Sequence, residues 1–194
     1  MRVVAISGSS RKGGNTAVLL TCVLDVLAAE GIETELVELA GQTAQGCTAC
    51  MLCREMQDGQ CHGRDDAING CLTKIAAADG LVIGSPVYFA DITPETKALV
   101  DRVGYVGRGN PGMLERKVGA AVAVNRRAGA IHALDSINHL FGITEMITVG
   151  SSYWNLGVGG AKGAVAEDAE GMATMERLGA NMAWLLKLIE AGRA

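Results

Sequence analysis

A chain of 194 residues, 49% hydrophobic and 20% charged, has the length of one domain and enough apolar content to bury one sizeable core. Its formal net charge of -4 offers no basic surface for nucleic acid, and its apolar runs are too short to cross a bilayer. The N-terminal MRVVAISGSS breaks at Gly8 before a secretory signal could form, so a cytoplasmic protein without nucleic-acid or membrane partners is expected, as one domain over residues 1–194.

In chain order, residues 2–7 (RVVAIS) read as a buried strand and residues 16–30 as a helix stopped by Gly31, with a second strand over 33–39. A cysteine-rich insertion of about residues 41–64 follows. Then come a helix with an acidic start (65–78), a third strand (80–85, GLVIGS) and a helix over 94–106. Thr93 is expected to cap that helix and Pro94 to occupy its first position. A fourth strand (118–125), a helix (130–141), a fifth strand (146–150) and a long closing helix (167–191) complete the chain. This alternation predicts an α/β fold: a doubly wound, five-stranded parallel sheet with helices on both faces.

Such sheets bind ligands beyond the carboxyl ends of their strands, where strand order reverses. The loop after strand one, GSSRKGGNT (8–16), combines hydroxyls, glycines, cationic side chains and a helix N-terminus, a set that suits a phosphate better than the single residue a helix cap needs. It matches neither a nucleoside-triphosphate loop nor a true dinucleotide fingerprint. The loop after strand three, GSPVYFADIT (84–93), places a proline and two aromatics where a core strand would turn polar. Those side chains either cover the end of the core or stack on a planar heterocycle.

Together with GSPVYFADITPETKALVDR and the later VNRRAG and GSSYWN, the first loop resembles the NADPH-dependent FMN reductase and iron-sulfur flavoprotein families of the flavodoxin-like fold. The resemblance implies non-covalent FMN. Its phosphate would be held by Ser9, Arg11, Gly14, Asn15 and Thr16, and its ring would lie on Pro86, Val87, Tyr88 and Phe89. The third loop, with Asn125, Arg126 and Gly129, would close the ring's edge. NAD(P)H would be at most a transient donor stacking on the open flavin, and a small molecule or a ferredoxin-like protein would exchange electrons with it. The resemblance also implies a homodimer or homotetramer.

Four of the six cysteines fall within CTACMLCREMQDGQC, spaced C-x2-C-x2-C-x7-C. In a reducing compartment such a cluster indicates a metal or redox site in preference to disulfides. Its resemblance to the iron-sulfur flavoprotein motif implies a 4Fe-4S cluster on Cys47, Cys50, Cys53 and Cys61. Zinc and free redox-sensing thiols remain the alternatives. The functional classes are accordingly an FMN-dependent oxidoreductase passing electrons between cluster and flavin, a flavin or quinone reductase with a structural cysteine site, and a redox-sensing module. Cys22 and Cys71 read as packing residues, as does the Met172, Met175, Met182 series. His62 reads as a solvated loop residue, and His132 and His139 as ordinary helix residues. Tyr153 and Trp154 either cover the flavin or line a subunit contact.

Overall fold

The computed structural model describes residues 1–192. Its parallel sheet runs in the order β2-β1-β3-β4-β5, from β1 (Arg2–Ser7), β2 (Glu33–Glu38), β3 (Gly80–Pro86), β4 (Val118–Asn125) and β5 (Ile147–Thr148). A sixth strand, β6 (Leu156–Val158), also pairs with β4. The fifth strand expected over 146–150 is thus cut to two residues. β5 pairs with Val118 and Gly119, β6 pairs with Ala123 to Asn125, and the Tyr153–Trp154 loop leaves the sheet between them.

Alternate strand residues face two different cores, and both faces are apolar because helices cover each. Val3, Ala5, Val82 and Val122 pack under α1 (Asn15–Ala29) and α6 (Ala169–Ala191). Val4, Ile6, Leu81 and Ile83 pack under α3 (Ala67–Ala77), α4 (Pro94–Gly109) and α5 (Ala130–Ile143). Met175 and Met182 are fully buried and Met172 partly so, as the core reading of that series expects. Cys71 is buried too, and burial pushes its thiol up to about 11.

Helix ends follow their capping chemistry. The Thr93 side chain accepts from the Thr96 amide with Pro94 at the first position of α4, and Asp66 caps α3 in a reciprocal box with Asn69. The insertion contains a helix that sequence did not anticipate, α2 (Leu52–Met56), moored to the end of α4. There Asn110 Nδ2 donates to the Cys53 carbonyl at 3.3 Å, and the Gly59 amide donates to Asn110 Oδ1 at 2.8 Å. A single 3-10 turn, Ala164–Glu167, precedes α6.

At the reversal of strand order, between β1 and β3, the Thr93 hydroxyl donates to the Gly8 carbonyl at 2.6 Å and lies 2.8 Å from the Thr96 hydroxyl. Thr96 Oγ1 in turn donates to Ser85 Oγ at 3.1 Å. A β-carbon on Gly8 would lie 1.8 Å from Thr96 Oγ1. Gly8→Ala therefore has to push the start of α4 away from β1, and we expect a loss of about 1–3 kcal/mol in chemical denaturation, the usual range for overpacking.

Candidate functional site

Two sites emerge. The first is a cleft of about 230 Å³ at the carboxyl ends of β1, β3 and β4. Ser9, Arg11, Asn15, Thr16, Pro86, Val87, Tyr88 and Arg126 line it, so three loops far apart in sequence meet there. The first helical amides of α1 have no partner within the helix, and they give this end of the cleft a positive character. Thr16 is 1% exposed, and its hydroxyl is buried without a partner among the described residues.

The other predicted positions have different environments. Asn15 is committed elsewhere: its Nδ2 donates to the carbonyls of Gly159 (2.9 Å) and Ala161 (2.8 Å), and its Oδ1 accepts from the Gly163 amide (2.7 Å). Its side chain therefore pins the 159–163 loop to the start of α1. Gly14 is the N-cap of α1, and its amide donates to the Arg11 carbonyl at 3.1 Å. Asn125 is 6% exposed with its Oδ1 buried and unpaired among the described residues, while its carbonyl accepts from Gly159. Gly129, at φ 91, caps α5 and packs against Val87 and Ala90; it is not part of the cleft wall. Phe89 also stands outside the wall. It and Ala90 occupy left-handed conformations (φ 47 and 69) in a turn closed by reciprocal Tyr88 and Asp91 backbone bonds, and Phe89 is fully exposed. Two non-glycine residues in that region cost of order 1–3 kcal/mol each. The turn is held by Asp91, whose carboxyl the Ser136 hydroxyl at 2.7 Å and the adjacent His132 keep below its usual range.

Sequence reasoning missed Gly159 and Gly160, which line the cleft, and Lys162, whose ammonium lies over Gly13. The glycine-rich run LGVGGAKG was the available signal.

The second site is formed by the insertion. Cys47, Cys50, Cys53 and Cys61 all line one small cavity, with His62, Gly63, Arg102 and Tyr105. Three non-glycine residues in and beside it, Ala49, Met51 and Gln57, have positive φ (55, 63 and 50). Met51 and Gln57 cap the two ends of α2, so the left-handed residues make the turns into and out of the short helix that carries Cys53. The Ala49 amide donates to Cys47 Sγ at 3.3 Å, and a β-carbon on Gly63 would lie 2.7 Å from Cys50 Sγ. Burial, and then the neighbouring Cys61 and Cys47, push the Cys53 thiol up. His62 is tied to Asp58 at 2.9 Å. No three Cys, His, Asp or Glu side chains among the described residues converge as the ligands of a single ion would. The four thiols line the walls of one small shared space. The two cavities share no lining residue, and Tyr105 in the second lies about 18 Å along α4, at 1.5 Å per residue, from Thr93, which is bonded to Gly8 below the first.

The family model described as NADPH-dependent FMN reductase matches residues 1–161. The chain belongs to this family. As an NADPH-dependent FMN reductase family member it is a flavin-dependent oxidoreductase with the flavodoxin-like fold. An iron-sulfur flavoprotein of Methanocaldococcus jannaschii is 39% identical over 197 residues, which cover 98% of this chain and 100% of the relative. One from Methanosarcina thermophila is 34% identical over 196 residues, covering 100% and 99%. Among solved structures, RosB with a bound flavin intermediate superposes with a TM-score of 0.76 at 18% identity, over 100% of this chain and 82% of that one. An archaeal flavodoxin superposes with a TM-score of 0.63 at 13% identity, over 96% and 99%. At those identities the structures speak for the fold alone. Among the described residues, no helix of this family member is long and apolar enough to cross a membrane.

The insertion's stability has a pH signature. Burial raises the Asp66 carboxyl, but the Gln45 amide, Arg102 and the Ile68 amide outweigh it and hold the group below its usual range. A depressed carboxylate contributes stability above its unfolded value and loses it as pH falls through the folded one. Asp66→Asn is expected to cost about 3 kcal/mol at neutral pH, since it leaves a buried guanidinium unpaired. In urea titrations across pH the gap to wild type should narrow below about pH 4, the ordinary Asp value.

Proposed function

We propose that this chain is an FMN-dependent oxidoreductase of the iron-sulfur flavoprotein type, passing electrons between FMN in the cleft and a 4Fe-4S cluster on Cys47, Cys50, Cys53 and Cys61. The observation that carries it is the facing of all four cysteines onto one cavity, in a chain whose flavin cleft is built separately. When bound, the flavin would exchange electron pairs or hydride, and the cluster single electrons.

The residues divide the work. The α1 amides, the Thr16 hydroxyl and Arg11 would receive the phosphate, and Asn15 would hold the 159–163 loop over it. Pro86, Val87 and Tyr88 would support the ring, and the unpaired Asn125 oxygen suits a ring N–H donor. Phe89, fully exposed on its strained turn, is available to a second subunit. The separation of the two sites along α4 supports a homodimer or homotetramer in which an insertion approaches a neighbour's flavin. NAD(P)H or a ferredoxin-like protein would supply or remove the electrons.

Because a hydrogen bond to a charged group is worth about 1.5–3 kcal/mol, Thr16→Ala should weaken FMN by about tenfold or more in fluorescence titration and riboflavin much less. Equal losses for both flavins would mean that Thr16 does not meet the phosphate.

The cluster is tested by anaerobic iron, sulfide and flavin analysis of wild type and Cys50→Ser. The variant should lose iron and sulfide, keep FMN, and reoxidise more slowly with a one-electron acceptor in stopped flow. A structural zinc would instead appear as metal without sulfide, and its loss would lower thermal stability without selectively slowing that reaction.

A further inference from the structure

Arg102 is a fully buried arginine, 1% exposed, on the face of α4 that lines the cysteine cavity. A guanidinium in such a place costs several kcal/mol unless its charge and donors are met. Its Nη1 donates to Asp66 Oδ1 at 2.5 Å and to the Gln45 carbonyl at 3.4 Å, and its Nη2 donates to Asn69 Oδ1 at 2.5 Å. Nε is buried and has no partner among the described residues. Both ends of the cysteine loop lead back to this side chain. Gln45, two residues before Cys47, accepts from Arg102 through its carbonyl and donates its amide to Asp66 Oδ2 at 2.8 Å. Asn69 donates Nδ2 to the Cys61 carbonyl at 2.8 Å.

Four thiolates on an iron-sulfur core carry more negative charge than the core balances, and reduction adds to it. In a low-dielectric wall a fixed cation favours the more negative state, and cluster potentials respond to local charge. Resting on the cluster reading above, we propose that Arg102 is the positioning residue of the cysteine site: it holds both ends of the ligand loop, and its fixed charge stabilises the reduced cluster. The step it biases is the addition of one electron to the cluster, supplied by the reductant or the reduced flavin.

The test uses full-length protein reconstituted anaerobically as wild type, Arg102→Lys, Arg102→Gln and Asp66→Asn, with iron and sulfide per chain measured first. Potentiometric titration followed by electron paramagnetic resonance then reads the cluster alone, independently of turnover. Arg102→Gln should lower the reduced-to-oxidised ratio at a fixed ambient potential by about tenfold, a midpoint about 59 mV more negative for one electron. Arg102→Lys, which keeps the charge, should recover most of that shift. Asp66→Asn, which removes the counter-charge and leaves Arg102 in place, should move the midpoint upward, and it decides the matter if Arg102→Gln does not fold. An unmoved midpoint in Arg102→Gln or in Asp66→Asn, or a Lys variant as low as Gln, overturns the charge role. Wild type without iron and sulfide overturns the cluster reading itself and this inference with it, an outcome seen before any variant is compared.

Discussion

Gly8, Ser85, Thr93 and Thr96 form a small hydroxyl clamp between the carboxyl ends of β1 and β3, with the start of α4 pressed against the bare α-carbon of Gly8. Each bond is worth only about 0.5–1.5 kcal/mol net, but a buried hydroxyl left unpaired costs more than it gained when paired. The clamp therefore has essentially two states, fully made or broken. The loops above it lean on the made state, because the phosphate-type loop follows β1 and the Pro86–Tyr88 wall follows β3, and the clamp adds the start of α4 to the backbone pairing, Gly8 amide to Gly84 carbonyl at 2.8 Å, that already holds the two strand ends together.

The same helix serves both sites. Its N-terminal turn completes the clamp, while Arg102, Tyr105 and Asn110 at and beyond its middle carry the cysteine insertion. A rigid rod of about four turns thus fixes where the thiols stand relative to the cleft. The insertion has little apolar core of its own, with Cys53 its one buried residue in α2, so its shape rests on polar ties to α3 and α4.

Local signals made much of this legible. Buried β runs, helical periodicity and the Thr93–Pro94 start are short-range patterns, and they give the layers, the strand succession and the loops that form the cleft. The cysteine spacing is local as well. What escaped is long-range. The side chain of Asn15 looks like a phosphate ligand from its neighbours in sequence, yet its partners lie more than 140 residues away. Arg102 looks like one more surface charge on an amphipathic helix, and only the folded insertion buries it. β6 is three residues long and follows an aromatic loop, too short for period two to register.

The interrupted fifth position has a consequence for how copies of the chain avoid one another. An open sheet offers two free edges, and a long flat edge recruits strands from other molecules. On one side only two-residue and three-residue pieces are presented, separated by a bulky aromatic loop, so an incoming strand finds no continuous template. On the other side β2 carries Glu33, Glu35 and Glu38 along six residues, with Glu33 bridged to Arg2 and Glu35 to Arg2 and Lys74, so an incoming strand meets a charged margin in place of an apolar one. Fibre-like growth through the sheet is disfavoured at one margin by interrupted geometry and at the other by ionised side chains.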